Sequence, residues 1–136
     1  MASIFTRIIN KELPGHIVAE TDNYIAFLDI HPLAVGHTLV VPKKETDDFF
    51  DLEDDLLSGL VLVAKRVAIG ICKTVPCLRV GIAVVGLEVP HAHVHLVPLH
   101  GPYDIDFRRS KIHQSQAALR SLANKLRTAV PACSPN

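Results

Sequence analysis

The sequence predicts an α+β domain with a mainly antiparallel sheet, and three observations carry that class. Short runs rich in β-branched and aromatic residues recur along the chain: "HIVAE", "NYIAFLDI", "HTLVVP", "CLRVGIAVVG" and "HAHVHLVPL". One long amphipathic stretch falls between the third and fourth of these runs instead of alternating with each of them. The length, 136 residues, suits one hydrophobic core and needs no second domain.

Taken in order, "SIFTRIIN" places Phe5, Ile8 and Ile9 at helical spacing behind Ser3 as N-cap, and "LPG" stops the helix. "HIVAE" and "NYIAFLDI", separated by Thr-Asp-Asn, read as a hairpin. "HPLAVG" breaks the pattern, and "HTLVVP" resumes as a third strand closed by Pro42. The long helix covers about residues 53 to 71: Leu56, Leu57, Leu60, Val61, Ala64, Val67, Ala68 and Ile71 recur at three- and four-residue steps. Glu53, Asp54 and Asp55 crowd its first turn, where the macrodipole favours negative charge. Two more strands follow, joined through "LEVP", and then a turn-rich segment "HGPYDIDFRRSK". Residues 112 to 129 carry helix formers, with Ala118, Leu119, Leu122 and Leu126 on one side, before a frayed tail "VPACSPN".

Acidic and basic side chains balance at 14 each, which leaves no global field to attract nucleic acid or an anionic membrane. Any anion must therefore be recognised locally. No apolar run is long enough to span a bilayer, and "MASIFTRIINKELPG" lacks the basic and apolar regions of a signal peptide, so a cytoplasmic protein is expected. Cys72, Cys77 and Cys133 are odd in number and do not fit zinc spacings, which points to reduced thiols.

The unusual feature is "EVPHAHVHLVPLH", with His91, His93 and His95 at every second position. On a strand covering residues 91 to 98, these side chains share one face, about 6.5 to 7 Å apart per step, while Ala92, Val94 and Leu96 point to the core. A solvated strand face explains one histidine more readily than three in register. Two chemistries then fit. A metal site needs neutral imidazoles converging on a point about 2 Å away, with His37 or Asp29 supplying a fourth ligand. Nucleophilic catalysis needs one imidazole nitrogen aimed at an electrophile while its other nitrogen is held by a hydrogen bond that fixes the tautomer. Residue chemistry alone leaves both open.

"HAHVHLVP" resembles the His-x-His-x-His-x-x signature of the histidine triad (HIT) family. The likeness extends back through "IFTRIINKELPGHIVAETDNYIAFLDIHPLAVGHTLVVPKK", so it covers most of the chain. It is most similar to the Hint-like branch of small nucleotide hydrolases. The resemblance implies a HIT-like fold with a long central helix and a C-terminal helix. It also implies a nucleotide hydrolase or transferase that cleaves nucleoside monophosphate conjugates at the α-phosphorus through a nucleotidyl-histidine. His93 matches the nucleophile, with its other nitrogen expected on the carbonyl of His91. His95 and His37 match positions that line the α-phosphate and help deliver a proton to the leaving group, and His91 is a structural partner. Asp29 matches the acceptor for the ribose hydroxyls. Phe5, Ile8, Phe27 and Ile30 match apolar positions around the base, with Ile4 and Leu28 in the same stretches, and Glu88 and Val89 complete the nucleotide-binding set.

By the same resemblance no cofactor is required, with adventitious zinc at the triad the one metal to expect, and the partner is a purine nucleotide or its conjugate. A homodimer joined through the sheets is implied, for which "CLRVGIAVVG" is suited. The HIT domain is placed at residues 1–110, with 111–136 as a C-terminal helix and tail packed on it. His16, His31, His100, His113, Lys43 and Lys44 read as surface residues, and Arg108 and Arg109 as solvated unless they meet substrate phosphates. The chain departs from many relatives in "VGIAVVGLEVP": it has no Asn, and Leu87 stands where Gln is common, which leaves the leaving group open. The alternatives are a regulatory nucleotide-binding module with weak catalysis, and a zinc-binding protein using His91, His93 and His95.

Overall fold

The computed structural model describes residues 2–132. Its five strands are β1 (Ile17–Glu20), β2 (Tyr24–Leu28), β3 (Thr38–Pro42), β4 (Arg79–Ala83) and β5 (Val94–Leu99), and its helices are α1 (Ile4–Ile9), α2 (Asp54–Thr74) and α3 (Gln116–Ala129). The strands form one antiparallel sheet in the order β1-β2-β3-β5-β4. The expected fold class is therefore the observed one. Cys133 and the end of the expected frayed tail lie outside the described residues, while Cys72 and Cys77 are free thiols.

Period-two alternation divides the apolar residues between the two faces of the sheet. On one face Ala26, Leu28, Val40, Val94 and Leu96 pack against Leu60, Ala64, Val67 and Ile71 of α2 and Leu119, Ala123 and Leu126 of α3. On the other face Ile25, Phe27, Leu39 and Val41 meet Phe5 of α1. His91, His93 and His95 sit on this second, thinner side. α1 and the chain after β5 cover that face, so the histidines do not stand on a solvated strand face, as their number in register implied.

Two element boundaries moved, each for a hydrogen-bonding reason. β5 begins at Val94 and not at His91, since His91 N donates to Val89 O at 2.8 Å and Ala92 N to Thr46 O at 2.6 Å, which removes both amides from the ladder. α3 begins at Gln116, where the Ser115 hydroxyl accepts from Ala118 N; further upstream, Ile112 N is spent on Pro32 O. β4 is an edge strand, with Ile82 exposed.

Candidate active site

The turn "HPLAVG" brings the pieces together. Gly36 adopts φ 99°, a left-handed conformation that strains any residue with a Cβ, and a Cβ there would also meet Val75 and Pro98 at 3.0 and 3.1 Å. The chain then reverses so that Asp29 N donates to His37 O at 3.0 Å, setting Asp29 at the end of β2 beside His37 at the start of β3. In the sheet, His95 of β5 lies opposite Leu39 of β3 and Ala83 of β4. His37, His91, His93 and His95 are 1, 0, 5 and 9 % exposed, which rules out a solvated strand face.

Buried imidazoles need partners for their nitrogens, and these partners assign the tautomers. Leu33 N donates to His37 Nδ1 at 3.0 Å, so His37 carries its proton on Nε2 and donates it to His95 Nδ1, also at 3.0 Å. His95 then carries its own proton on Nε2. A second chain runs the other way. The Ser3 hydroxyl donates to His91 Nδ1 at 2.7 Å, and His91 Nε2 donates to Pro42 O at 2.8 Å. His93 Nδ1 donates to the carbonyl of His91 at 2.7 Å, leaving the lone pair of His93 on Nε2. No polar side-chain atom among the described residues is both sealed from solvent and unbonded, so both remaining nitrogens, the His95 donor and the His93 acceptor, reach open space.

Electrostatics agree with neutral rings. Burial, reinforced by the neighbouring His93 and His37, pushes His95 down to about 3. Burial also lowers His37, against the opposing pull of the Asp29 carboxylate 3.6 Å away, and lowers His91 despite its bond to Pro42 O. A second proton on His37 or His95 would in addition place a donor against a donor.

His93 and His95 open onto a cavity of about 440 Å³ whose other walls include Phe5, Ile8, Phe27, Asp29 and Ile30. Glu88 and Val89 also border it, so the expected nucleotide-binding set is brought to this space, whereas His37, expected along the α-phosphate, does not line it and reaches it only through His95. Phe5 stacks edge-on against His93 at 4.9 Å between centroids and against Phe27 at 5.5 Å. Leu28 borders the same cavity, but its side chain belongs to the helix-side cluster. Ile4 and Ile30 are half exposed at the rim.

Of the residues read as solvated, His31, Arg108 and Arg109 are exposed as expected, and His31 also borders the cavity. Lys43 is not free in solvent but pairs with Glu20 at 2.7 Å. Arg108 and Arg109 are tied to Asp106 and Asp104, each at 2.9 Å, and so are held in their own loop. That loop instead supplies Phe107, whose ring packs edge-on against those of His95 at 4.7 Å and His37 at 6.3 Å between centroids. A Phe in a polar turn-rich segment is the only sequence signal that could have marked it. Ser3, Thr6 and Glu45 were also missed as site residues: Glu45 Oε1 accepts from Ser3 N and the Thr6 hydroxyl, clamping the start of α1 onto His91.

The donor chemistry also tests a metal. Asp29, His37 and His95 present ligand atoms within 4.8 Å of one another, close enough to share one ion. The tautomers do not fit it, because the nitrogen that His37 offers carries a proton fixed by Leu33 N on the far side of the ring. His91 has both nitrogens engaged, so the three triad histidines do not converge on an ion either.

With this geometry in hand, comparison with known proteins gives a consistent answer. The HIT domain family model matches residues 10–101. An uncharacterized HIT-like protein of Borreliella burgdorferi is 36% identical over 78% of this chain and 81% of its own length. An adenosine 5′-monophosphoramidase of Saccharomyces cerevisiae is 38% identical over 71% of this chain, which spans 62% of that relative. Among solved structures, a hypothetical histidine triad nucleotide-binding protein of Sulfolobus tokodaii superposes with a TM-score of 0.82 at 30% identity, covering 93% of this chain and 90% of that one. A zinc-bound histidine triad family protein of Mycobacterium smegmatis has a TM-score of 0.79 at 28% identity, covering 96% and 94%. The chain belongs to the histidine triad family.

Proposed function

We propose that the protein is a nucleotidyl hydrolase that releases AMP, or a similar purine nucleoside monophosphate, from conjugates linked at the α-phosphorus. The observation that carries this reading is the pair of opposed hydrogen-bond chains, which deliver a lone pair at His93 and an N–H at His95 into one cavity. The Saccharomyces relative supports an amide linkage as substrate.

In this reading the base lies among Phe5, Ile8, Phe27 and Ile30, and the Asp29 carboxylate accepts from the ribose hydroxyls. His93 Nε2 attacks phosphorus and forms an N–P bond as the bond from phosphorus to the leaving group breaks, its electron pair going to that group. The ring becomes cationic, and the carbonyl of His91 at Nδ1 stabilises that charge in a water-poor site. The His95 Nε2–H donates to a non-bridging oxygen. Because burial keeps His95 neutral at pH 7, it serves as a hydrogen-bond donor, and the departing group takes its proton from solvent. Water then attacks phosphorus, the N–P bond breaks, one proton returns to solvent and His93 regains its lone pair. The natural assembly is a homodimer in which a second copy pairs with the free β4 edge; Ile82→Lys would separate the copies in sedimentation.

The deciding experiment is AMP release from adenosine 5′-phosphoramidate together with intact-mass detection of an adenylylated protein. His93→Ala should abolish both, a loss of about a thousandfold or more. Undiminished release by that variant would sink the reading.

A further inference from the structure

A second cavity, of about 350 Å³, opens on the other side of the nucleophile. Asp47, Asp48, Phe49 and Phe50 form one wall, and Val85 and Leu87 the other; His93 is common to this space and to the nucleotide cavity. A phosphorus held at His93 carries two large substituents, the nucleoside and the leaving group. With the Asp29 cavity taken by the nucleoside, this second cavity is the space left for the other substituent.

Its chemistry is specific. Phe50 and Leu87 are 84 and 88 % exposed, large apolar side chains left uncovered at the mouth of the cavity. No Lys or Arg lines it. Among the described residues neither Asp47 nor Asp48 enters an ion pair; one oxygen of Asp48 accepts from Phe50 N at 2.9 Å and shapes the turn. The other carboxylate oxygens are open to a ligand. His93, 5 % exposed, has its only unbonded nitrogen at the junction.

We propose that this cavity is the leaving-group site, selecting amines that carry an apolar body and a cationic end over anionic groups such as a second nucleotide. The proposal rests on the hydrolase reading above and names its substrate class. In the reaction the P–N bond to the amine breaks with its electron pair going to nitrogen, which gains a proton from solvent as His93 takes its place on phosphorus. The apolar walls take up the chain of the amine, and Asp47 and Asp48 face its far charge. A polyphosphate leaving group would bring several negative charges to two carboxylates with no cation to offset them.

The test uses adenosine phosphoramidates whose leaving groups are ammonia, a diaminoalkane, an alkylamine and an amino acid of matched length joined through its chain-end nitrogen. For the wild-type protein at low salt, kcat/KM should rank diamine, then alkylamine, then amino acid, with a diamine-to-amino-acid ratio of about tenfold. In an Asp47→Asn/Asp48→Asn double variant, where Asn keeps an acceptor for Phe50 N, the ratio should fall towards one. A ratio unchanged by the substitutions, or an amino acid conjugate cleaved as fast as the diamine, overturns the leaving-group assignment. Turnover of the ammonia conjugate alongside a flat series would leave the hydrolase reading standing and remove this proposal alone. No turnover of any conjugate would remove both.

Discussion

His93 Nδ1 lies 2.7 Å from the carbonyl oxygen of His91, so the residue two positions earlier holds the ring of the proposed nucleophile in place. That carbonyl is itself fixed, because the His91 ring is clamped between Pro42 O and the Ser3 hydroxyl, which also caps α1 through Thr6 N. The start of the chain thereby sets the aim of a side chain ninety positions away.

Ser3→Ala should therefore act on both stability and rate. It leaves His91 Nδ1 buried without a donor and removes a helix cap, for a combined loss of about 1–3 kcal/mol in denaturant unfolding. Ser3 does not line the proposed nucleotide cavity, so kcat should fall about three- to tenfold with KM little changed. A purely structural Ser3 would lower stability with kcat intact, and the kinetic split separates the two roles.

Asp29 offers a different signature. If its carboxylate accepts from the ribose, Asp29→Asn should weaken kcat/KM about ten- to a hundredfold for an adenosine conjugate, the range of a charge-assisted hydrogen bond. The penalty should vanish for a conjugate whose sugar lacks hydroxyls, since the paired removal isolates that contact. An equal penalty on both substrates would leave Asp29 only its structural partners, the His31 amide that donates to it at 2.9 Å and the neighbouring His37.

The metal alternative is decided by tautomers. With His37 Nε2 protonated and both His91 nitrogens engaged, the protein should carry no stoichiometric zinc, and dialysis against a chelator should leave activity and melting temperature unchanged. Elemental analysis that finds one zinc per chain, with a melting temperature that drops on chelation, would reverse this assignment.

How much of this was legible in the sequence depends on the range of the contacts. Alternation in "HAHVHL" and the β-branched runs disclosed the strands, because period two is a local property, and Asp29 and His37 came from the family likeness. The clamp of Ser3 on His91 spans 88 positions, and no local pattern encodes it. Ser3 showed only its capping role. Phe107 and the Asp47–Phe50 wall sit in polar turns, where the signal for loop and the signal for site are the same residues. How far the histidine face is covered was not legible for a related reason: alternation tells which residues share a face, and only tertiary packing decides what lies over it.

Gly59 makes a packing prediction independent of function. In the middle of α2, Ala should gain up to about 1 kcal/mol in helix propensity over Gly. Here a Cβ would overlap the Tyr24 hydroxyl, which donates to Leu56 O at 2.8 Å. The clash breaks that bond and displaces a buried ring, so Gly59→Ala should destabilise by about 2 kcal/mol or more. A rise in melting temperature would mean that Tyr24 moves aside without cost.

The buried histidines also fix the direction of acid sensitivity. His95 has a folded value of about 3 against 6.5 when unfolded, and His37 and His91 are lowered in the same direction, mainly by burial. Between those values the unfolded chain binds more protons than the folded one, so unfolding becomes easier as pH falls. The stability is fully present above about pH 6.5 and is lost progressively as pH drops, at up to about 1.4 kcal/mol per pH unit for each such histidine. Carboxylates held low, among them Glu20 and Glu45, add their own loss only at more acidic pH, below their unfolded value of 4.5. Denaturant unfolding at pH 7 and pH 5 isolates the histidines: stability should already fall by about 2 kcal/mol or more over that interval, before the carboxylates contribute. The slope should shallow in His95→Asn, which removes the titrating ring but keeps a polar group beside His37. A stability flat from pH 7 to 5 would mean that these rings take up protons in the folded protein as readily as in the unfolded one, and the chain of neutral tautomers from Leu33 to His95 would have to be abandoned.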